Sequence, residues 1–154
     1  MTTGPIQTTY SFKDLVGTIT NGVLSGPLQV VGGFIGNGAI RIRMLTERTE
    51  HLVGADGTIM PSYISGNNGE IELEVQQTSQ LHHELLSLYN QLLTSADAGD
   101  VSNWANIQMS FRTVLDGAVH NLLGCAFRKI GDKPYEARGQ NVIWAFLAGY
   151  VSNQ

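Results

Sequence analysis

Residues 70–77 read Glu-Ile-Glu-Leu-Glu-Val-Gln-Gln, and residues 39–45 read Ala-Ile-Arg-Ile-Arg-Met-Leu. In both runs an apolar side chain alternates with a charged one. A strand points successive side chains to opposite faces, so a period of two buries Ile71, Leu73 and Val75 on one side and sets Glu70, Glu72 and Glu74 on the other. Ile40, Ile42 and Met44 alternate in the same way with Arg41 and Arg43. A helix would scatter either set around its circumference. The chain is therefore expected to build a sheet with one wet and one dry face. Antiparallel pairing of the two runs brings two arginines against three glutamates, and opposite charges across a ladder stabilise it by about 0.2–1 kcal/mol per pair.

Residues 46–69 separate the two runs, a long connection for a compact domain. Asp56-Gly57 lies between short apolar runs, a hairpin signal, and Gly66-Asn67-Asn68-Gly69 closes the segment with a turn. The segment reads as a projecting β-hairpin arm, a device that reaches a partner or forms a surface flap. A helix is expected over about 79–95, where Leu81, Leu85, Leu88, Tyr89 and Leu92 form one apolar stripe. Thr78 or Ser79 supplies its N-cap and Gly99 its stop.

The remaining segments read as strands and turns. Tyr10–Phe12 and Leu15–Thr20 are short strands, and Gly32, Gly33, Gly36 and Gly38 mark turns or a bulged strand. Residues 106–114 and 118–130 are two strands joined by a tight two-residue turn at Asp116-Gly117, the second broken at Gly124. A turn at Asp132-Lys133-Pro134 precedes a last apolar strand over 141–151, covered on both sides. The 154 residues form a single domain, 1–154, of mainly β class.

Charge narrows the function classes. The net charge is −4, from 9 Lys+Arg and 13 Asp+Glu, which argues against a groove gripping nucleic-acid phosphates. Charged residues make up only 14% of the chain, against about 25% in ordinary domains. A small chain with so few charges hides surface in partners or relies on Ser, Thr, Asn and Gln for solubility. No Lys or Arg falls between residues 49 and 111, whereas five bases fall between 112 and 138. Such patches either meet between identical subunits or form two solvated faces of one chain. The single cysteine, the lack of a long apolar run and an N-terminus without signal-peptide character point to cytoplasmic synthesis and no membrane partner.

The residues carry no recognisable chemistry. His82 and His83 are adjacent on a helix and point about 100° apart, which prevents a shared metal. His51 and His120 stand elsewhere, and Cys125 lies in an apolar strand as an inert buried thiol. Glu70, Glu72 and Glu74 stand on one strand, whereas a glycosidase pair flanks its sugar from different elements. There is no zinc, calcium, phosphate-loop or nucleophile-elbow pattern. No enzyme activity, cofactor or metal is expected.

A set of residues in order then resembles a known family. Tyr10-Ser11-Phe12-Lys13-Asp14, Glu47-Arg48-Thr49, His51, Ala55-Asp56-Gly57, Met60 and Gly66-Asn67-Asn68-Gly69 belong to it. So do Val75-Gln76-Gln77-Thr78-Ser79, Leu81-His82, Asp132-Lys133-Pro134-Tyr135 and Gly139-Gln140. Together, over roughly residues 9–150, they resemble the tail tube proteins of contractile-tailed bacteriophages. The resemblance implies a β-sandwich or barrel body with a flanking helix, and a non-catalytic virion subunit that assembles in the host cytoplasm. It implies homohexameric rings stacked into a hollow conduit for double-stranded DNA, each copy lending four strands to an inner barrel. About 24 strands tilted by ~45° give a circumference near 160 Å and a bore near ~40 Å, wide enough for a duplex. Implied partners are further copies of the chain, the sheath, the tape measure, and baseplate and terminator proteins. Within that frame Arg41, Arg43, Glu70, Glu72 and Glu74 are candidates for the bore or a subunit seam. Glu47, Arg48, Glu50, His51, Asp56 and Gly57 are candidates for an inter-ring arm. A headless contractile particle, a type VI-like secretion tube and a small β-sandwich binding module are the alternatives. Scattered Trp and Tyr residues disfavour the last.

Overall fold

The computed structural model describes residues 14–31, 39–114, 117–133 and 135–154. The strand at Tyr10–Phe12, the glycine turns at 32–38, and Asp116 and Pro134 of the two later turns lie outside them. The described residues hold ten strands and one helix: β1 Leu15–Thr20, β2 Leu28–Val31, β3 Ala39–Met44, β4 Thr49–Val53, β5 Ile59–Tyr63, β6 Gly69–Gln76, α1 Gln80–Asp97, β7 Ile107–Thr113, β8 Val119–Ile130, β9 Asn141–Ala148 and β10 Tyr150–Asn153. Every pairing is antiparallel.

The long strand β8 belongs to two sheets. Its first half lies between β7 and β10, and this sheet continues through β1 to β2. Its second half pairs with β9, and that sheet continues through β6 to β3. The changeover occurs at Gly124, whose φ of +63° is readily adopted only without a Cβ. Gly149 lies against it and donates its N–H to the carbonyls of Leu123 and Gly124 at 3.1 and 3.3 Å. The break expected at Gly124 is therefore a bend within one strand. The single strand expected over 141–151 is two, because the chain turns at Gly149 to follow the bend of its partner β8 at Gly124.

The pairings expected of 39–45 with 70–77 and of 106–114 with 118–130 are present as β3–β6 and β7–β8. Thr113 donates its N–H to Ala118 O at 3.0 Å and Gly117 takes φ +76°, while the turn expected at Asp116-Gly117 lies partly outside the described residues. β2 was not legible in the sequence.

The helix begins where its cap dictates, with the Ser79 hydroxyl accepting the His82 N–H at 3.2 Å. It ends in a Schellman motif. Gly99, at φ +96°, donates to Ala96 O and Asp100 donates to Ser95 O, at 3.0 and 2.8 Å. The apolar stripe of Leu81, Leu85, Leu88 and Leu92 is buried. It packs on the dry face of the second sheet, where Ile71, Leu73, Val75, Trp144 and Phe146 are all 0% exposed. Trp144 is the centre of an aromatic cluster, with ring centroids 5.6 Å from Phe127 and 6.2 Å from Tyr89. In the other sheet Gly17 stands opposite Phe111, and a side chain at Gly17 would overlap that ring.

One polar pair lies inside this core. Trp144 Nε1 donates to Nδ1 of His82 at 3.1 Å, and His82 is 4% exposed. The bond requires an unprotonated Nδ1. Burial, then Lys133 and His83 as neighbouring positive groups, hold the imidazole below its ordinary 6.5. The unfolded chain therefore binds the proton more readily, so stability is complete above about pH 6.5 and falls as the pH drops toward the lowered value. The melting temperature is expected to fall between about pH 7.5 and pH 5.5. His82→Gln, which keeps an acceptor but cannot titrate there, should flatten that slope. Equal slopes in the two proteins would remove His82 as the cause.

Candidate assembly surfaces

The wet face of the second sheet carries the charge pattern read from the sequence. Arg41 stands opposite Glu72, and Arg43 opposite Glu70. On the other side of β6, Glu70, Glu72 and Glu74 stand opposite Leu147, Ala145 and Ile143. Directly opposed residues share a face, so all of these look away from α1. Arg43 Nη2 lies 2.6 Å from Glu72 and 3.3 Å from Glu70, and Arg41 lies 3.9 Å from both Glu72 and Glu74. Arg128 reaches across β9 to Glu70 at 2.6 Å. Asn141 donates to Glu74 at 3.2 Å.

Glu70 is the exceptional member, its side chain 5% exposed between two guanidinium groups. Of the two readings of the charge segregation, neither holds for this cluster. The opposite charges meet within one chain, because the β3–β6–β9–β8 order brings residues distant in sequence onto one face. Ile143 and Leu147, at 40% and 42% exposed, complete that face. The last strand is thus not covered on both sides, since no described layer lies over this surface.

The hairpin β4–β5 forms a sheet of its own and projects as expected. Gly54 N–H donates to Thr58 O at 2.7 Å, and Gly57 takes φ +86° at the tip. The Asp56 carboxylate accepts from the Thr58 hydroxyl and amide, which holds its pKa below the ordinary value. At the base, Arg48 donates to Ile64 O at 3.0 Å and to Asn67 Oδ1 at 2.6 Å, with its guanidinium over the Tyr63 ring. Arg48, Asp56 and Gly57 therefore shape the arm, while Glu47, Glu50 and His51 are exposed on it. Sequence reading missed the arm's apolar face. Val53 opposes Ile59, His51 opposes Pro61 and Thr49 opposes Tyr63 on one side without carboxylates, where Val53, Ile59 and Tyr63 are 64%, 55% and 78% exposed.

Among the described residues, no three His, Cys, Asp or Glu side chains cluster to hold a metal ion. Nor is any helix long and apolar enough to cross a membrane. Cys125 is fully buried, and burial pushes its thiol up to about 12. His120 pairs with Asn153 at 2.7 Å.

The chain is thus a bent antiparallel β-fold with one flanking helix, a face on which arginines and glutamates pair, and a hairpin exposed to solvent. Solved structures share the fold. A chain of an extracellular contractile injection system, PVC sheath/tube terminator in the extended state, superposes with a TM-score of 0.63 at 9% identity, covering 97% of this chain and 99% of that one. A chain of the anti-feeding prophage baseplate, 6-fold symmetrised, gives 0.61 at 10% identity, covering 97% of each. The anti-feeding prophage tube terminating cap gives 0.58 at 11%, covering 99% and 95%. No curated protein matches in sequence. The family model of the bacteriophage PhiTE tail tube protein matches residues 7–154, and the chain belongs to that family. It is a family of structural tail proteins, not of enzymes.

Proposed function

We propose that this chain forms homohexameric rings that stack into the hollow tube of a phage tail, through which double-stranded DNA passes during ejection. The observation that carries the reading is the family match over residues 7–154. Two structural features support it. The second sheet, β3–β6–β9–β8, supplies the four strands per copy that an inner barrel needs, and its edges β3 and late β8 are open among the described elements. Joining such edges between copies removes an aggregation hazard. Its wet face, bearing Arg41, Arg43, Glu70, Glu72 and Glu74, then lines the bore or a seam. Arg41, Arg43 and Arg128 pair there with Glu70, Glu72 and Glu74, and Lys129, opposite Ala145, adds one further cation, so phosphates meet few free cations and DNA slides.

In this reading the tube assembles in the host cytoplasm, with sheath outside, tape measure inside before ejection, and baseplate and terminator at the ends. The hairpin reaches a neighbouring copy. A headless contractile particle would use the same subunit. Negative-stain microscopy beside native mass spectrometry, at high and low concentration, tests it. Hollow rings or filaments with a sixfold end view are expected. A chain that stays monomeric even when given baseplate seeds would overturn the reading.

A further inference from the structure

The outward side of α1 is unusual for an exposed helix. From His83 to Thr94 it presents Ser87, Asn90 and Gln91 and no Lys, Arg, Asp or Glu except Glu84. Exposed helix faces ordinarily carry several charges, whereas interface cores are depleted of them. Between this face and Val23 runs an open groove of about 720 Å³, and none of its described lining residues is ionised as Lys, Arg, Asp or Glu. Its far wall is held in place, because Asn21 accepts the Val23 N–H at 3.0 Å and donates to Asn103 O at 3.0 Å.

We infer that this groove receives the apolar face of the β4–β5 hairpin of a second copy of the chain. This rests on the tube reading above and names the surface the arm docks on. Three observations select the hairpin as occupant. It carries exposed Val53, Ile59 and Tyr63 on a side without carboxylates, and the guanidinium over Tyr63, that of Arg48, is already held at the base by Ile64 O and Asn67, so little ion hydration is lost on contact. The lengths agree: five strand residues span ~17 Å, and the helix rises ~18 Å from His83 to Ser95. The two surfaces are different patches of one chain, so their union is head-to-tail and propagates, as rings or stacked rings require.

Cys125 is buried and unreactive, which leaves the natural chain suited to disulfide mapping. Val53→Cys chains and Asn90→Cys chains are mixed, assembled and oxidised with copper phenanthroline. A covalent dimer is expected from the mixture and from neither variant alone. A second variant, Asn90→Glu, should keep the helical circular dichroism and raise the concentration needed for assembly at least tenfold. Assembled rings that give no Val53–Asn90 dimer, with Asn90→Glu assembling normally, would overturn this inference and leave the tube reading intact. Failure of the natural chain to assemble, even with baseplate seeds, would overturn both.

Discussion

Replacing Trp144 by alanine is expected to remove about 3–5 kcal/mol of stability, the range for deleting a large buried aromatic. Trp144 is 0% exposed and touches α1 through His82 and Tyr89 and β8 through Phe127. Its loss opens a cavity where helix meets sheet and leaves His82 Nδ1 without its donor. For a domain of this length each kcal/mol shifts the melting temperature by roughly 2–4 °C. A drop of roughly 6–20 °C is therefore expected, measured on dilute, unassembled chain. Trp144→Phe should separate the two contributions, since it keeps most of the volume and removes only the N–H. It should cost about 1–3 kcal/mol, the range for a buried acceptor left unpaired. A loss below about 1 kcal/mol for Trp144→Ala would mean that this cluster does not organise the core.

The second large effect is expected on the opposite face of the same sheet. Exposed ion pairs contribute little, and Arg41 with Glu72 and Glu74 is of that kind, at 3.9 Å with Arg41 57% exposed. Glu70 differs because its carboxylate is nearly inaccessible and depends on Arg43 and Arg128. Converting both arginines to methionine leaves a buried negative charge without partners. The expected cost is about 3 kcal/mol, at the low end for a broken buried pair because a surface strand relaxes toward water. Either single substitution should cost less than half of that, since the other guanidinium remains. Adding Glu70→Leu to the double variant should restore most of the loss. Urea unfolding of the natural chain and these four variants measures this. Additive single effects, or no recovery with Glu70→Leu, would show that Glu70 draws no support from the pair.

Much of this fold was legible in local pattern. The alternation at 39–45 and 70–77 specified strands and their faces, because a period of two permits one buried set only, while the register of their pairing came from the structure. The leucine stripe, Ser79 and Gly99 delimited α1 for equally local reasons. Asp56-Gly57 marked the hairpin tip. The bend at Gly124 and Gly149 was read as a strand break and a continuous strand. A glycine marks a place of conformational freedom, but only the partner across the ladder decides whether the chain stops or turns.

The candidate surfaces show the same division. The sequence by itself determined that glutamates and arginines would share a wet face, that an arm would project between them, and that no catalytic constellation was at hand. Its family pattern pointed to the tail tube. Only the tertiary structure decided that Arg128, 58 residues from Glu70, closes over it. It also decided that His82 is buried against Trp144, and that the uncharged side of α1 forms a groove with Val23. These contacts depend on which strand lies beside which and how the sheet bends. Those are properties of long-range packing, set by the sum of many burial terms rather than by any window of sequence.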